Sequence, residues 1–274
     1  MVSISLFISS SMSNPYFRFK QFTVYHDRCA MKVGTDGCLL GAWTPLPSPT
    51  TNPIHVLDVG TGSGLIALML AQRLPNAVID AIDIDPGAIE QATFNFAQSP
   101  WPNRLTAHLC SLQKWQSHLT PSSQWNGLYD LIVSNPPYFI NSLPNPDQQR
   151  NMARHTDTLS YAELFSCCTQ LLSPTGIFSI ILPASAEPHI LSTLNAKRSP
   201  LNAPLSTLHT TRVYSKPNTP PLRTLMAFSH STLNAKRSTL SECLEAPLNA
   251  KRLTLTSSSS RSPEYTALMQ DFYL

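Results

Sequence analysis

Asn135-Pro136-Pro137-Tyr138 sets an amide oxygen, two rigid imides and an aromatic ring at the end of an apolar run, residues 128–134. Two prolines forbid further ladder bonding and fix a stiff, extended loop. The Asn135 side-chain oxygen and the Pro136 carbonyl can both accept N–H bonds from a planar amide or amino group. Such a nitrogen is a poor nucleophile because its lone pair is delocalised. Held by two acceptors, it is turned towards an electrophile, and the positive charge that develops on it is stabilised. Tyr138 can stack on a base that has left its own stack.

About seventy residues earlier stands Asp58-Val59-Gly60-Thr61-Gly62-Ser63-Gly64, after an apolar run and before a helical pattern. Gly60, Gly62 and Gly64 let the backbone turn tightly and approach a ligand, and the helix start supplies free N–H groups. Dinucleotide loops prefer Gly-x-Gly-x-x-Gly with pyrophosphate at the helix end. Here the third glycine comes one residue early and Asp58 precedes the loop. A carboxylate there repels pyrophosphate but pairs, directly or through water, with the ammonium of a methionine moiety. That points to S-adenosylmethionine rather than a nicotinamide. Asp83 ends the next strand and is placed for ribose hydroxyls, with Asp85 as competitor. In-line attack on a sulfonium methyl needs mainly positioning, so neither a covalent nucleophile nor a metal is required.

These loops must be held by strands. Residues 54–59, 78–83, 105–109, 128–134 and 176–182 are short runs of Ile, Val and Leu, with helical patterns at 65–74, 87–98 and 161–172. Alternating buried strands and helices predict an α/β, Rossmann-like, open and mostly parallel sheet with helices on both faces. Residues 222–228 and 253–256 complete seven strands. Ser173-Pro174-Thr175-Gly176 reads as a stop and turn before the fifth strand. Both loops then fall at the carboxyl ends of strands, where ligands bind in such sheets.

The 274 residues suffice for one large domain. The expected division is an N-terminal capping segment over 1–50 and a methyltransferase-type domain over 51–274, with low-complexity insertions near 192–207 and 231–252. The insertions are marked by repetition: Ser192–Ser199 and Ser231–Ser238 are identical, and residues 248–252 repeat Leu-Asn-Ala-Lys-Arg. Their Ser, Pro and Lys/Arg content reads as surface loop, with an RNA-gripping role as the sharper alternative. Net charge is +3, unevenly placed: residues 192–274 hold ten Lys/Arg against four Asp/Glu, giving +6, and residues 1–191 carry −3. A basic C-terminal third suits a polyanion. No run of about eighteen apolar residues is present, so no membrane span is expected. Residues 1–11 lack a basic n-region and a cleavage site, and Met12 offers an alternative start. The six cysteines show no metal-ligand spacing, so a reduced, cytoplasmic, metal-free monomer is expected.

Further strings narrow the reading: Phe19-Lys20-Gln21-Phe22, His26 through Gly37 with Lys32-Val33-Gly34-Thr35-Asp36, Leu40-Gly41-Ala42-Trp43, Gln98-Ser99-Pro100-Trp101, Ala153-Arg154, and Glu264-Tyr265 through Asp271-Phe272-Tyr273-Leu274. With the two loops, they resemble the bacterial tRNA1(Val) adenine N6-methyltransferases, class I enzymes that modify the adenine beside the valine anticodon. The resemblance covers about residues 16–190 and 262–274. It implies that Asp58, Gly60, Gly62, Gly64 and Asp83 bind S-adenosylmethionine, with Thr35 and Asp36 closing over the cofactor. It also implies that Asn135, Pro136 and Tyr138 hold the adenine, while His26, Arg28, Lys32 and Arg154 face the RNA. Two features depart from the pattern. Cys110-Ser111-Leu112 offers only Ser111 where many relatives of the fold place an acid for the cofactor's adenine, and the repeats are foreign to the family. A glutamine N5-methyltransferase acting on a release factor uses the same Asn-Pro-Pro-Tyr chemistry, but such enzymes carry a helical domain that the roughly fifty residues before the first strand do not supply. A non-catalytic RNA-binding relative is the second alternative, opposed by the intact Asn135 and Asp58.

Overall fold

The computed structural model describes residues 14–29, 31–48, 50, 52–118, 129–136, 159–196, 205–230, 252–257 and 260–273. In chain order its elements are β1 (Tyr16–Arg18), β2 (Thr23–Tyr25), α1 (Thr35–Trp43), β3 (Ile54–Val59), α2 (Leu65–Arg73), β4 (Ala77–Asp83), α3 (Pro86–Ala97), β5 (Leu105–Leu109), α4 (Leu112–His118) and β6 (Tyr129–Ser134). There follow α5 (Tyr161–Leu171), β7 (Leu172–Pro183), α6 (Glu187–Ala196), β8 (Leu205–Tyr214), β9 (Pro221–His230), β10 (Arg252–Thr254), β11 (Thr256–Ser257), β12 (Ser260–Arg261) and α7 (Pro263–Met269).

Eight strands form one sheet in the order β10-β8-β9-β7-β6-β3-β4-β5. β3 to β7 are mutually parallel, β9 runs against both β7 and β8, and β10 is parallel to β8. The Rossmann-like class expected from the sequence is present, with eight strands in place of seven. The added strand is β8, whose start falls in the stretch read as an insertion at 192–207; it pairs with β9 along its whole length. α6 likewise continues to Ala196, so the first copy of the repeat begins inside a helix. The rest of that stretch, 197–204, and residues 231–251 lie outside the described residues. A second difference concerns Ser173–Gly176. The strand does not wait for the turn signal but runs from Leu172, with Leu172 opposite Tyr129 and Ile177 opposite Leu131. The Pro-Thr-Gly signal thus produces a bulge within β7.

Local chemistry explains the helices. α2 is apolar on every side and is buried from Leu65 to Ala71, as a helix enclosed by its neighbours must be. α3 starts at Asp85, whose side chain accepts from Gly87 N, with Pro86 following. α5 carries a complete capping box, Ser160 with Glu163. Arg73 donates to the carbonyls of Gly41 and Thr44, and Arg104 to those of Ala71, Leu74 and Ala77. These guanidiniums satisfy the carboxyl ends of α1 and α2, where helix carbonyls lack partners.

Described residues before and after position 50 share one apolar core. α1 buries Gly37 through Trp43 in the same apolar cluster as Phe19, Phe22, Val24, α2, Val213, Leu253 and α7. Trp43 Nε1 donates to Thr211 Oγ1 at 3.0 Å, and a buried Trp of this kind contributes about 3–5 kcal/mol. The opposite face of the sheet is covered by a second cluster that includes Leu112, Leu164, Phe165, Ile190, Phe178 and Phe228.

Candidate active site

β3 and β6 are neighbours, with Asp58 opposite Val133 and Val59 opposite Ser134. The glycine loop and Asn135 therefore leave the sheet side by side at one edge. Ser134 Oγ donates to the Val59 carbonyl at 3.0 Å and ties the two ends together. The N–H groups of Gly60 and Thr61 both donate to the Ile82 carbonyl, at 2.9 and 3.1 Å, turning the loop over the end of β4. Gly60, Gly62 and Gly64 all have positive φ, +72°, +55° and +81°, which L side chains rarely adopt. Their surroundings differ. A Cβ at Gly60 or Gly62 would meet nothing within 4 Å, whereas one at Gly64 would lie 2.5 Å from Phe96 Cε1. Gly64 lets the loop pack on α3; the other two leave bare backbone towards open space.

Asp58 is fully buried. Its Oδ2 accepts from Thr61 Oγ1 at 2.7 Å and from Ala67 N at 3.2 Å, while its buried Oδ1 has no hydrogen-bond partner among the described residues. Burial pushes the carboxyl up to about 7; nearby Asp83 adds to this, and the bonds from Thr61 and Ala67 oppose it. An unsatisfied carboxylate oxygen in such a place is costly, so Asp58 suits a cationic ligand group. Asp83 accepts from Gly62 N at 2.9 Å and from Asp85 N at 3.0 Å, which sets it under the loop. Asp85 is occupied as the cap of α3. Ser111, at the end of β5, accepts from Lys114 N at 3.4 Å near the start of α4.

A cleft of about 380 Å³ opens above this edge, within the range of small-molecule sites. Lys32, Gly34, Thr35, Asp36, Gly60, Thr61, Gly62, Ser63 and Asn135 all line it. The segment expected to close over the cofactor and the two motif loops are thus brought together. Asp58, Gly64, Asp83 and Ser111 are not among the residues that line it. Pro136 is buried next to Asn135. Tyr138 and Arg154 lie outside the described residues.

Two of the expected RNA-facing residues have partners within the protein. His26 is buried; its Nδ1 accepts from Val33 N at 3.3 Å and its Nε2 meets the Asn14 carbonyl at 2.9 Å. With both ring nitrogens committed to backbone, it shapes the loop before α1 and offers nothing to a ligand. Arg28 is half-exposed and pairs with Glu90 on α3 at 2.5 Å. The sequence reading also missed a whole wall of the cleft: Val213, Leu222, Arg223 and Leu255. Arg223 Nε donates to Asp36 Oδ2 at 2.8 Å, joining β9 to the first turn of α1. The available signal was a charged residue following Pro220-Pro221 at a strand start. Ile84, half-exposed directly after Asp83, is a second apolar surface that was not singled out. Among the described residues no group of three or more His, Cys, Asp or Glu is placed for a metal, and no helix is long and apolar enough to cross a membrane.

Comparison with known proteins supplies independent findings. The family model described as methyltransferase small domain matches residues 45–182. The chain is 46% identical over 263 residues to the tRNA1(Val) (adenine(37)-N6)-methyltransferase of Phocaeicola vulgatus, covering 96% of this chain and 99% of that one. It is 40% identical over 268 residues to the protein of the same name from Salmonella paratyphi B, covering 97% of each. Among solved structures, a predicted O-methyltransferase from Agrobacterium tumefaciens superposes with a TM-score of 0.55 at 14% identity, over 86% of this chain and 96% of that one. At that identity the likeness speaks to the fold alone.

Proposed function

The chain belongs to the tRNA1(Val) (adenine(37)-N6)-methyltransferase family, and from that premise we propose that it methylates the N6 amino group of the adenine beside the anticodon of valine tRNA. S-adenosylmethionine, when bound, supplies an electrophilic methyl on a sulfonium. The remaining contributions come from the chain. The bare backbone at Gly60 and Gly62 admits the methionine portion. Asp58, with its unsatisfied Oδ1, answers the ammonium, and Asp83 under the loop answers the ribose. Lys32 to Asp36 close the near side.

At the reacting end, Asn135 Oδ1 and the Pro136 carbonyl accept the two N–H bonds of the adenine amino group. An amide oxygen keeps its acceptor character at every working pH, so this grip does not titrate. It strengthens as positive charge develops on nitrogen, and that difference between ground and transition state is what lowers the barrier. Burial of Pro136 and the bond from Ser134 to Val59 keep the acceptors from drifting. Tyr138 would stack on the extruded base. As a tRNA-modifying enzyme it would act in the cytoplasm.

The observation that carries the reading is the register of β3 on β6, which puts the glycine loop and Asn135 on the walls of one cleft. Nucleoside mass spectrometry of valine tRNA incubated with protein and S-adenosylmethionine tests it. New N6-methyladenosine with the wild type, absent with Asn135→Ala, is the expected outcome. Label on a release-factor glutamine and none on tRNA would move the assignment to a protein substrate.

A further inference from the structure

The carboxyl ends of β6, β8 and β10 lie at the same sheet edge, because β8 runs with β7 and β10 runs with β8. Val213 and Leu255 turn to the cleft. Alternation along a strand sends their neighbours to the other face. There Arg212 stands directly opposite Arg252 across the β8–β10 ladder, and Tyr214 opposite Thr254. Pairing continues past the strand ends, with Leu255 N donating to Tyr214 O and Thr256 N to Ser215 O. The edge is thus held firmly up to the turn that carries exposed Lys216.

Like charges directly opposite on adjacent strands repel. Here only one of the two is neutralised within the described residues. Arg212 forks onto Glu187, Nε to Oε2 at 3.0 Å and Nη2 to Oε1 at 2.6 Å, and Thr224 adds a third bond to that carboxylate. The fork uses Nε and Nη2, so Nη1 keeps its donors for a second acceptor. Arg252 is exposed, and its guanidinium lies 3.9 Å above the Tyr214 ring. The ring holds the charge in place without neutralising it. Arg252 is also the last residue of the third Leu-Asn-Ala-Lys-Arg string, so that motif delivers its terminal arginine to this spot.

We propose that Arg252, Arg212 and Lys216, ordered by Tyr214 and Glu187, form a seat for the phosphodiester backbone of the RNA whose adenine enters the cleft on the opposite side of the same strand segment. The proposal rests on the tRNA reading above. Its occupant is set by charge: Arg252 is not neutralised within the described residues and exposed Lys216 follows on the adjoining turn, which suits a polyanion, and the shared strands hold the seat beside the cleft.

The test measures binding of valine tRNA to the full chain by fluorescence anisotropy over a series of salt concentrations, alongside methylation kinetics. Arg252→Ala with Lys216→Ala should weaken binding roughly three- to tenfold per residue at low salt and flatten the slope of log K against log salt by about 1 for each lost phosphate contact. The loss should fall on the KM for tRNA rather than on kcat, with affinity for S-adenosylmethionine the same as wild type. Arg252→Lys should retain the salt slope, because the charge remains; both substitutions are at exposed positions, and unchanged thermal unfolding checks the fold. A double variant with wild-type slope and KM overturns the seat while leaving the tRNA reading intact. Loss of binding to anionic phospholipid vesicles but not to tRNA overturns it in favour of a membrane partner. A wild type that neither binds nor methylates tRNA overturns both readings.

Discussion

The two walls of the cleft differ in how they are made. One is local: the glycine loop, its strand and Asn135 come from parallel neighbours β3 and β6, and each is announced by a motif. The other is assembled from distant parts of the chain, Val213, Leu222, Arg223 and Leu255, none of which belongs to a motif. The first wall has conformational demands, three positive-φ glycines and a buried proline after Asn135, that few residue types satisfy. The second needs only apolar bulk and one well-placed cation, which many sequences provide. Chemistry that constrains residue type leaves a readable trace; a wall that constrains only shape does not.

Substitutions can separate these contributions. The largest effect belongs to Asn135→Ala, which should lower kcat by about 10²–10³ while leaving S-adenosylmethionine affinity near wild type by calorimetry. An equal loss of cofactor affinity would falsify the role given to that amide. Next come the glycines. Gly64→Ala adds a clash with Phe96 to an unfavourable φ and should cost about 2–4 kcal/mol in urea unfolding. Gly62→Ala meets open space, should cost about 1–2 kcal/mol, and should show its main effect in cofactor affinity. If both lose the same stability, the distinction between packed and bare glycine fails.

Asp58 gives a pH test of intermediate size. Its folded-state value of about 7 lies above the roughly 3.9 of an exposed Asp. Its contribution to stability is therefore fully present below about pH 4 and is lost as pH rises through 7. A cationic ligand favours the ionised form, so S-adenosylmethionine affinity should rise with pH up to about 7, by at most about tenfold per unit. Asp58→Asn should flatten that profile in isothermal titration between pH 5 and 8; a profile as steep as wild type would remove Asp58 from the ammonium contact. The smallest effect ties the second wall to the first turn of α1. Asp36 and Arg223 are each about a quarter exposed, and a double-mutant cycle with Asp36→Asn and Arg223→Gln should give about 0.5–1 kcal/mol of coupling. Zero coupling would mean that β9 and α1 meet without holding each other.

The same contrast explains what the sequence made legible. β3 through β7 and α2, α3 and α5 could be read because buried parallel strands and apolar helices have strong periodic signatures. β8 was hidden by composition: Ser206, Thr207, Thr210 and Thr211 give it the look of a polar linker, and its apolar residues find their purpose only against β9 and Trp43. α6 was masked by the repeat that begins inside it. At the site, spacing singled out Asp58, Gly60, Gly62 and Asn135, of which Gly60, Gly62 and Asn135 line the cleft. The string before α1 gave no sign that the backbone of Asn14 and Val33 would meet both ring nitrogens of His26. Arg223 was missed because its partner, Asp36, lies 187 residues away in the chain.

The closure of the sheet by its last strands has a consequence for biosynthesis. Lys20 donates its backbone N–H to the carbonyl of Phe272, α7 lies against α1, and Leu255 completes a cleft begun at Met31. A nascent chain can form the glycine loop early, since domains fold as their segments emerge. It cannot possess the full cleft wall until the segment through Leu255 has left the ribosome. Ligand affinity in this protein thus depends on a late-emerging strand, and a product terminated before Leu255 would carry the motifs without the full pocket.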